Sequence, residues 1–298
     1  MRPLLVFLLL SLTSAPALAE LRVFACEPEW GALVRELGGE RVTVYVATTA
    51  QQDPHHIQAR PSLIGKLRRA DLLVCTGAQL EIGWLPVLLR RAANPRVQPG
   101  RPGHFEAARH VTLLDVPASV DRAHGDVHPD GDPHIHTDPR NIEKVAVALG
   151  ERLASLDPAH AEAWQRDTAA FLARWRMALQ GWQARAEGLQ GLPVVTQHKG
   201  WIYLIHWLGL REVIRLEPRP GVPPSASHLQ KVLETVRQTP VKAILRAAYQ
   251  PPRAADWLHD RIGVPVLVLP YTVGGNLRAS DLFGLFDDTL AQLERAAR

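Results

Sequence analysis

The chain predicts an α/β fold of two lobes, each a mainly parallel sheet covered by helices, the two joined by one long rigid helix. Two observations carry this expectation. Short apolar runs alternate with helical stretches in two separate series, the rhythm of parallel strands linked by crossover helices. Between the series, residues 158–188 read as one continuous helix.

Taken in order, the first nineteen residues read as a secretory signal peptide. Arg2 precedes the apolar run Leu4 to Leu12, and Ala17-Leu18-Ala19 supplies an A-x-A cleavage site. The mature chain is expected to start near Glu20 in the periplasm. An uncleaved anchor fits less well, because the run is shorter than the ~20 residues of a spanning helix. No later segment is apolar enough to span a bilayer, so a soluble mature protein is expected.

The first series has strands at Arg22 to Cys26, Val42 to Ala47 and Leu72 to Cys75, with helices from about Glu29, Pro61 and Glu81. The second has strands at Val194 to Thr196, Val213 to Leu216, Val241 to Leu245 and Val266 to Leu269, with helices such as His228 to Thr239 and Ala254 to Ile262. Asp157 is placed to cap the linking helix and Pro158 to occupy its first turn. Trp164, Phe171, Trp175, Leu179 and Trp182 share one face of it, which reads as packing across both lobes. At 1.5 Å per residue the helix would be ~46 Å long, a strut between domains. The expected boundaries are 20–156 for the N-terminal lobe, with a His/Asp-rich loop at 121–132, then 157–188 for the linking helix and 189–298 for the C-terminal lobe. On length alone, one large domain is the alternative.

A formal charge of +4 over 298 residues, with no Lys/Arg run, excludes a nucleic-acid role. Cys26 and Cys75 are the only cysteines, too few for a cysteine-rich zinc module or a disulfide-dense scaffold. Each lies near a strand end. One disulfide, if those strands are neighbours, and two buried thiols are both open readings. Without a second cysteine close in sequence, both are poor metal-ligand candidates.

The chemistry lies in the histidines. Four of thirteen, His124, His128, His134 and His136, fall in one short segment beside Asp121, Asp126, Asp130 and Asp132. Imidazole with carboxylate suits a borderline divalent ion such as Zn²⁺. Asp53-Pro54-His55 follows the second strand and recurs as Asp132-Pro133-His134 before the helix that Asp138 and Pro139 start; His198 follows Val194 to Thr196. In open α/β sheets ligands collect beyond the carboxyl ends of strands, and each of these histidines sits in a loop that could reach such a crevice. Three convergent histidines outline a zinc site. His134 and His136 are two apart in an extended segment and point to opposite faces, so both should not bind one ion.

These segments carry a resemblance. Asp53 to Ser62 (DPHHIQARPS), Asp132 to Arg140 (DPHIHTDPR), Thr196 to Trp201 (TQHKGW) and Pro270 to Gly275 (PYTVGG) leading to Asp281 resemble the cluster A-I metal-specific solute-binding proteins of bacterial ABC importers. Within them the chain is similar to the zinc-binding, ZnuA/TroA-like type, and looks nearest to the AztC kind, over the whole mature length. The resemblance implies one zinc ligand from each segment: His55, His134, His198 and, as the carboxylate, Asp281. It implies an ABC importer membrane permease as partner, leaves a periplasmic zinc chaperone open, and implies a monomer. His136 departs from the family pattern, where an aromatic residue is usual, and the doubled His55-His56 leaves the first ligand open. For loop 121–132 the family reading is zinc capture, against a simple solubilising loop.

Three functions compete. A four-ligand site holds and releases metal without an open position for catalysis, hence a binding protein and no enzyme. A zinc hydrolase would keep water in the fourth place, yet no H-E-x-x-H helix is present. A surface adhesin of the same fold would need a lipid anchor, and no Cys follows the expected cleavage site. A manganese-binding member of the family is the remaining alternative, disfavoured by the histidines.

Overall fold

A computed structural model describes residues 20–117 and 128–298. The expected signal peptide and residues 121–127 of the His/Asp-rich loop lie outside the described residues.

The first sheet contains β1 (Leu21–Ala25), β2 (Val42–Val46), β3 (Leu72–Cys75) and β4 (His104–Glu106), all parallel, in the order β2-β1-β3-β4. The second contains β5 (Pro193–Thr196), β6 (Arg211–Arg215), β7 (Ala243–Ala247) and β8 (Val266–Leu269), again parallel, in the order β6-β5-β7-β8. Both therefore reverse direction of growth at one central point, between β1 and β3 and between β5 and β7. Crevices for ligands form beyond the carboxyl ends of strands at such points. β3 is buried at all four positions, as its unbroken apolar run requires when helices cover both faces.

In the first lobe the covering helices are α1 (Pro28–Gly38), α2 (Pro61–Arg69) and α3 (Leu85–Ala92). In the second they are α6 (Ile202–Leu208), α7 (Ala226–Gln238) and α8 (Arg253–Ile262), followed by α9 (Leu282–Ala297). Two helices run between the sheets, α4 (Pro139–Leu156) and α5 (Ala161–Ala186). Asp138 caps α4 as expected, accepting a hydrogen bond from Arg140 N at 2.9 Å.

The linking helix differs from its expected form. Residues 158–188 divide into a 3-10 turn at Pro158–His160, α5 itself, and the start of a second 3-10 turn at Glu187–Leu189. Asp157 makes no capping bond, because its carboxylate accepts instead from Trp164 Nε1 at 3.1 Å. The 26 residues of α5 span ~39 Å. Its aromatic face is buried as packing: Phe171 and Trp175 stack at 5.4 Å, Trp182 meets Trp175 at 5.0 Å, and Phe283 and Phe286 of α9 close over Trp175.

One apolar core runs from Trp30 and Leu33 of α1 through α4 and α5 to Trp207 and α9, so both lobes share it. Smaller clusters fill the far face of each sheet. The register that sets Ala25 beside Val74 brings Cys26 beside Cys75, and these two are joined in a disulfide with Cα atoms 4.8 Å apart. Among the described residues no helix is long and apolar enough to cross a membrane.

Candidate metal centre

The repeated Asp-Pro-His segment is a local device for aiming an imidazole. In both copies the aspartate accepts a hydrogen bond from the backbone N–H two residues on: His55 N to Asp53 Oδ1 at 3.0 Å, and His134 N to Asp132 Oδ1 at 2.9 Å. The intervening proline brings no competing donor and holds φ, so the turn is pre-set. Trp84 Nε1 donates to Pro54 O at 2.8 Å and pins the first turn to the lobe beneath. Tyr203 Oη, from α6, donates to Asp132 O at 2.7 Å and pins the second to the other lobe.

These turns bring His55 and His134 together with His198, which follows the end of β5; all three are buried. Ring centroids lie 5.3 Å apart for His55 and His134, 6.1 Å for His55 and His198, and 6.0 Å for His134 and His198. A fourth ring belongs to the group. His128 lies 5.3 Å from His55 and 6.3 Å from His134 by centroid, with its Nε2 3.2 Å from His55 Nε2. Four imidazoles around a tetrahedral zinc at ~2.1 Å would have ring centres ~5 Å apart, so these rings, with pairs at 5.3 to 6.3 Å, must draw together to hold one ion.

Carboxylates outside the group orient two of the rings. Asp53 Oδ1 lies 2.8 Å from His55 Nδ1, and Glu217 Oε2 lies 2.7 Å from His198 Nδ1. Each arrangement holds the proton on Nδ1 and turns the Nε2 lone pair inward, the usual support of a metal-bound histidine. Burial alone would raise the Asp53 carboxyl, but its bond to His55 draws it below the ordinary range. Buried His134 Nδ1 has no hydrogen-bond partner among the described residues, an orphan that a metal ion would satisfy.

Burial, then the neighbouring imidazoles, depress His134 well below the ordinary histidine range. Burial, His55 and Lys199 push His128 down to about 3. Both are therefore neutral donors at neutral pH, the form that binds metal.

Asp281 is not brought to this group. It is exposed and caps α9, its Oδ1 accepting from Gly284 N at 2.7 Å. In this structure that carboxylate serves the helix end, and a further ring beside His55 and His134 is that of His128. Tyr271 of the 270–275 segment approaches the centre, 5.7 Å from His134 by ring centroid. His136 is turned away from the cluster, with Nε2 3.2 Å from Tyr271 O and Nδ1 3.3 Å from Glu29 Oε1. Glu29 also accepts from the Thr272 hydroxyl, so this buried set ties α1 to the second lobe. His56, the rival first ligand, is exposed and lines a cavity of about 740 Å³ that reaches His198 and Glu217.

Sequence reasoning singled out neither His128 beside His55 nor Glu217 behind His198. His128 stood inside a histidine-rich segment that made no single member distinctive. Glu217 lies nineteen residues from His198 with no motif between them.

Residues 23–296 match the family model of ZnuA, the periplasmic zinc-uptake complex component A. The zinc-binding lipoprotein AdcA of Streptococcus pneumoniae is 26% identical over 242 residues, covering 79% of this chain and 46% of that protein. The chain thus spans about half the length of these pneumococcal relatives. The high-affinity zinc uptake system protein ZnuA of Paracoccus denitrificans is 25% identical over 263 residues, covering 77% of each. Among solved structures, a ZnuA crystal structure superposes with a TM-score of 0.76 at 22% identity, covering 92% of this chain and 98% of that one. With nearly its whole described length matched, the chain belongs to the ZnuA family of zinc-uptake complex components.

Proposed function

We propose that this protein captures Zn²⁺ between its lobes in the periplasm, through His55, His128, His134 and His198, and delivers it to a membrane ABC importer. The observation that carries this reading is the convergence of four imidazoles, two of them backed by carboxylates. Four neutral nitrogen donors fill a tetrahedral shell and leave no position for water, so the ion is cargo and no hydrolysis follows. Asp53 and Glu217 supply two negative charges against the ion's two positive ones without entering its coordination sphere. Manganese, which a pneumococcal relative's name records at 19% identity, prefers oxygen donors and should bind weakly here. Delivery to a permease is supported by family membership.

The test is a titration of chelator-stripped protein with zinc and with manganese. One tight zinc equivalent, lost or greatly weakened in His134→Ala, is expected. Tighter manganese binding, or steady ester hydrolysis by the zinc-loaded protein, would overturn the reading.

A further inference from the structure

Beneath the first sheet's switch point lies a second group of metal-type ligands, separate from the histidines. The Sγ atoms of Cys26 and Cys75 and a carboxylate oxygen of Glu81 all lie within 4.8 Å of one another, and all three residues are buried. Glu27 joins them. Thr76 N donates to Glu27 Oε2 at 3.3 Å and to Glu81 Oε1 at 2.8 Å, which holds both carboxyls over the same strand end. Glu27 Oε1 is buried and has no hydrogen-bond partner among the described residues.

The backbone supports this placement at a cost. Gly77, Ala78 and Gln79 have φ of 77°, 48° and 66°, a left-handed run in which two members are not glycine. Such strain is held only where surrounding bonds over-determine it. Here Glu81 accepts from Gly77 N as well as Thr76 N, at 3.1 Å and 2.8 Å, and the turn folds its carboxylate back onto the disulfide. Burial and mutual repulsion hold the Glu27 carboxyl well above its ordinary range, and burial pushes Glu81 up to about 7. A cation between them would relieve both. Glu81, Gly77 and Ala78 also line a cavity of about 620 Å³.

We propose that reduction of the Cys26–Cys75 disulfide unmasks a second, sulfur-rich site for a borderline or soft divalent cation such as Zn²⁺, with Cys26, Cys75 and Glu81 as ligands and Glu27 Oε1 completing the shell. The reductant is a dithiol. One of its thiolates attacks a cystine sulfur, the second displaces the mixed disulfide, and two electrons and two protons pass to the chain as the dithiol closes to its own disulfide. Binding of the cation then expels the two cysteine protons to solvent, leaving two thiolates on the metal. In the oxidised protein neither sulfur is a ligand, so the site exists in one redox state only.

The test uses the full chain carrying one zinc equivalent, titrated with Co²⁺ before and after mild reduction. The reduced protein is expected to take up one further equivalent with a near-ultraviolet sulfur-to-cobalt charge-transfer band, and the oxidised protein none. The Cys26→Ser/Cys75→Ser double variant should lack both uptake and band. Glu81→Gln should keep two titratable thiols yet bind this cobalt at least tenfold more weakly. No band after reduction, a disulfide reducible only in denaturant, or unchanged affinity in Glu81→Gln would each overturn the proposal. The last outcome also identifies cobalt held by an unfolded dithiol segment.

Discussion

His128 is neutral because folding removes it from water, and this has a measurable consequence. Its ordinary value is 6.5, and in the folded chain burial pushes it down to about 3. Between these limits the unfolded chain takes up the proton first, so stability falls as pH drops below 6.5 and the loss continues towards 3. His128→Gln removes that proton. Zinc-free His128→Gln should therefore gain on the wild type during acidification, by on the order of 1–2 kcal/mol at pH 5, in urea melts of both proteins. A gap constant with pH would mean that His128 is solvated. Glu217 acts one step further out. Glu217→Gln leaves a hydrogen-bonding side chain but removes the charge behind His198. Zinc affinity by competition with a chromophoric chelator should fall about 10- to 100-fold, the usual effect of losing such a partner.

At the scale of elements, the same aspartate chemistry serves two ends. In the Asp-Pro-His turns the carboxylate aims an imidazole, whereas Asp281 accepts from Gly284 N and starts α9. Asp281→Ala should therefore cost about 1 kcal/mol of stability, as cap removals do, and leave zinc affinity unchanged. A large loss of affinity would return this carboxylate to the metal. For α5 the decisive residue is Trp175. It is fully buried against Phe171, Trp182, Phe283 and Phe286, and its Nε1 donates to Pro139 O at 2.9 Å. Trp175→Ala removes a large side chain from a junction of α4, α5 and α9, and a loss of about 3–5 kcal/mol is expected in denaturant unfolding.

The strands were legible at this scale because their apolar runs are short and bounded: β3 and β8 fall where the pattern places them. β4 has three residues, only one of them buried, and too little pattern to read. The break before α5 was hidden because Asp157-Pro158 is a good helix start in isolation. Only the folded chain shows Trp164 and His160 taking the carboxylate for themselves.

Across the whole molecule, the shared core couples the lobes. Residues of α1, α4, α5 and α9 pack in one cluster, and Thr272 of the second lobe donates to Glu29 of the first. A single calorimetric transition is therefore expected for the zinc-free protein, shifted upward by zinc as one unit. Two resolved transitions would mean that the lobes melt independently. By itself, the amino-acid order determined the alternation of strands and helices, the two Asp-Pro-His turns, and the placing of His55, His134 and His198 in loops. Those features are local: periodicity, a turn of three residues, and parallel topology are enough to state them. Tertiary structure alone decided that His128 lies beside His55 and His134, that Asp281 caps a helix, that Glu217 backs His198, and that Cys26 meets Cys75. Each of these depends on a distance across the fold between residues far apart in the chain, a quantity that spacing along the sequence does not encode.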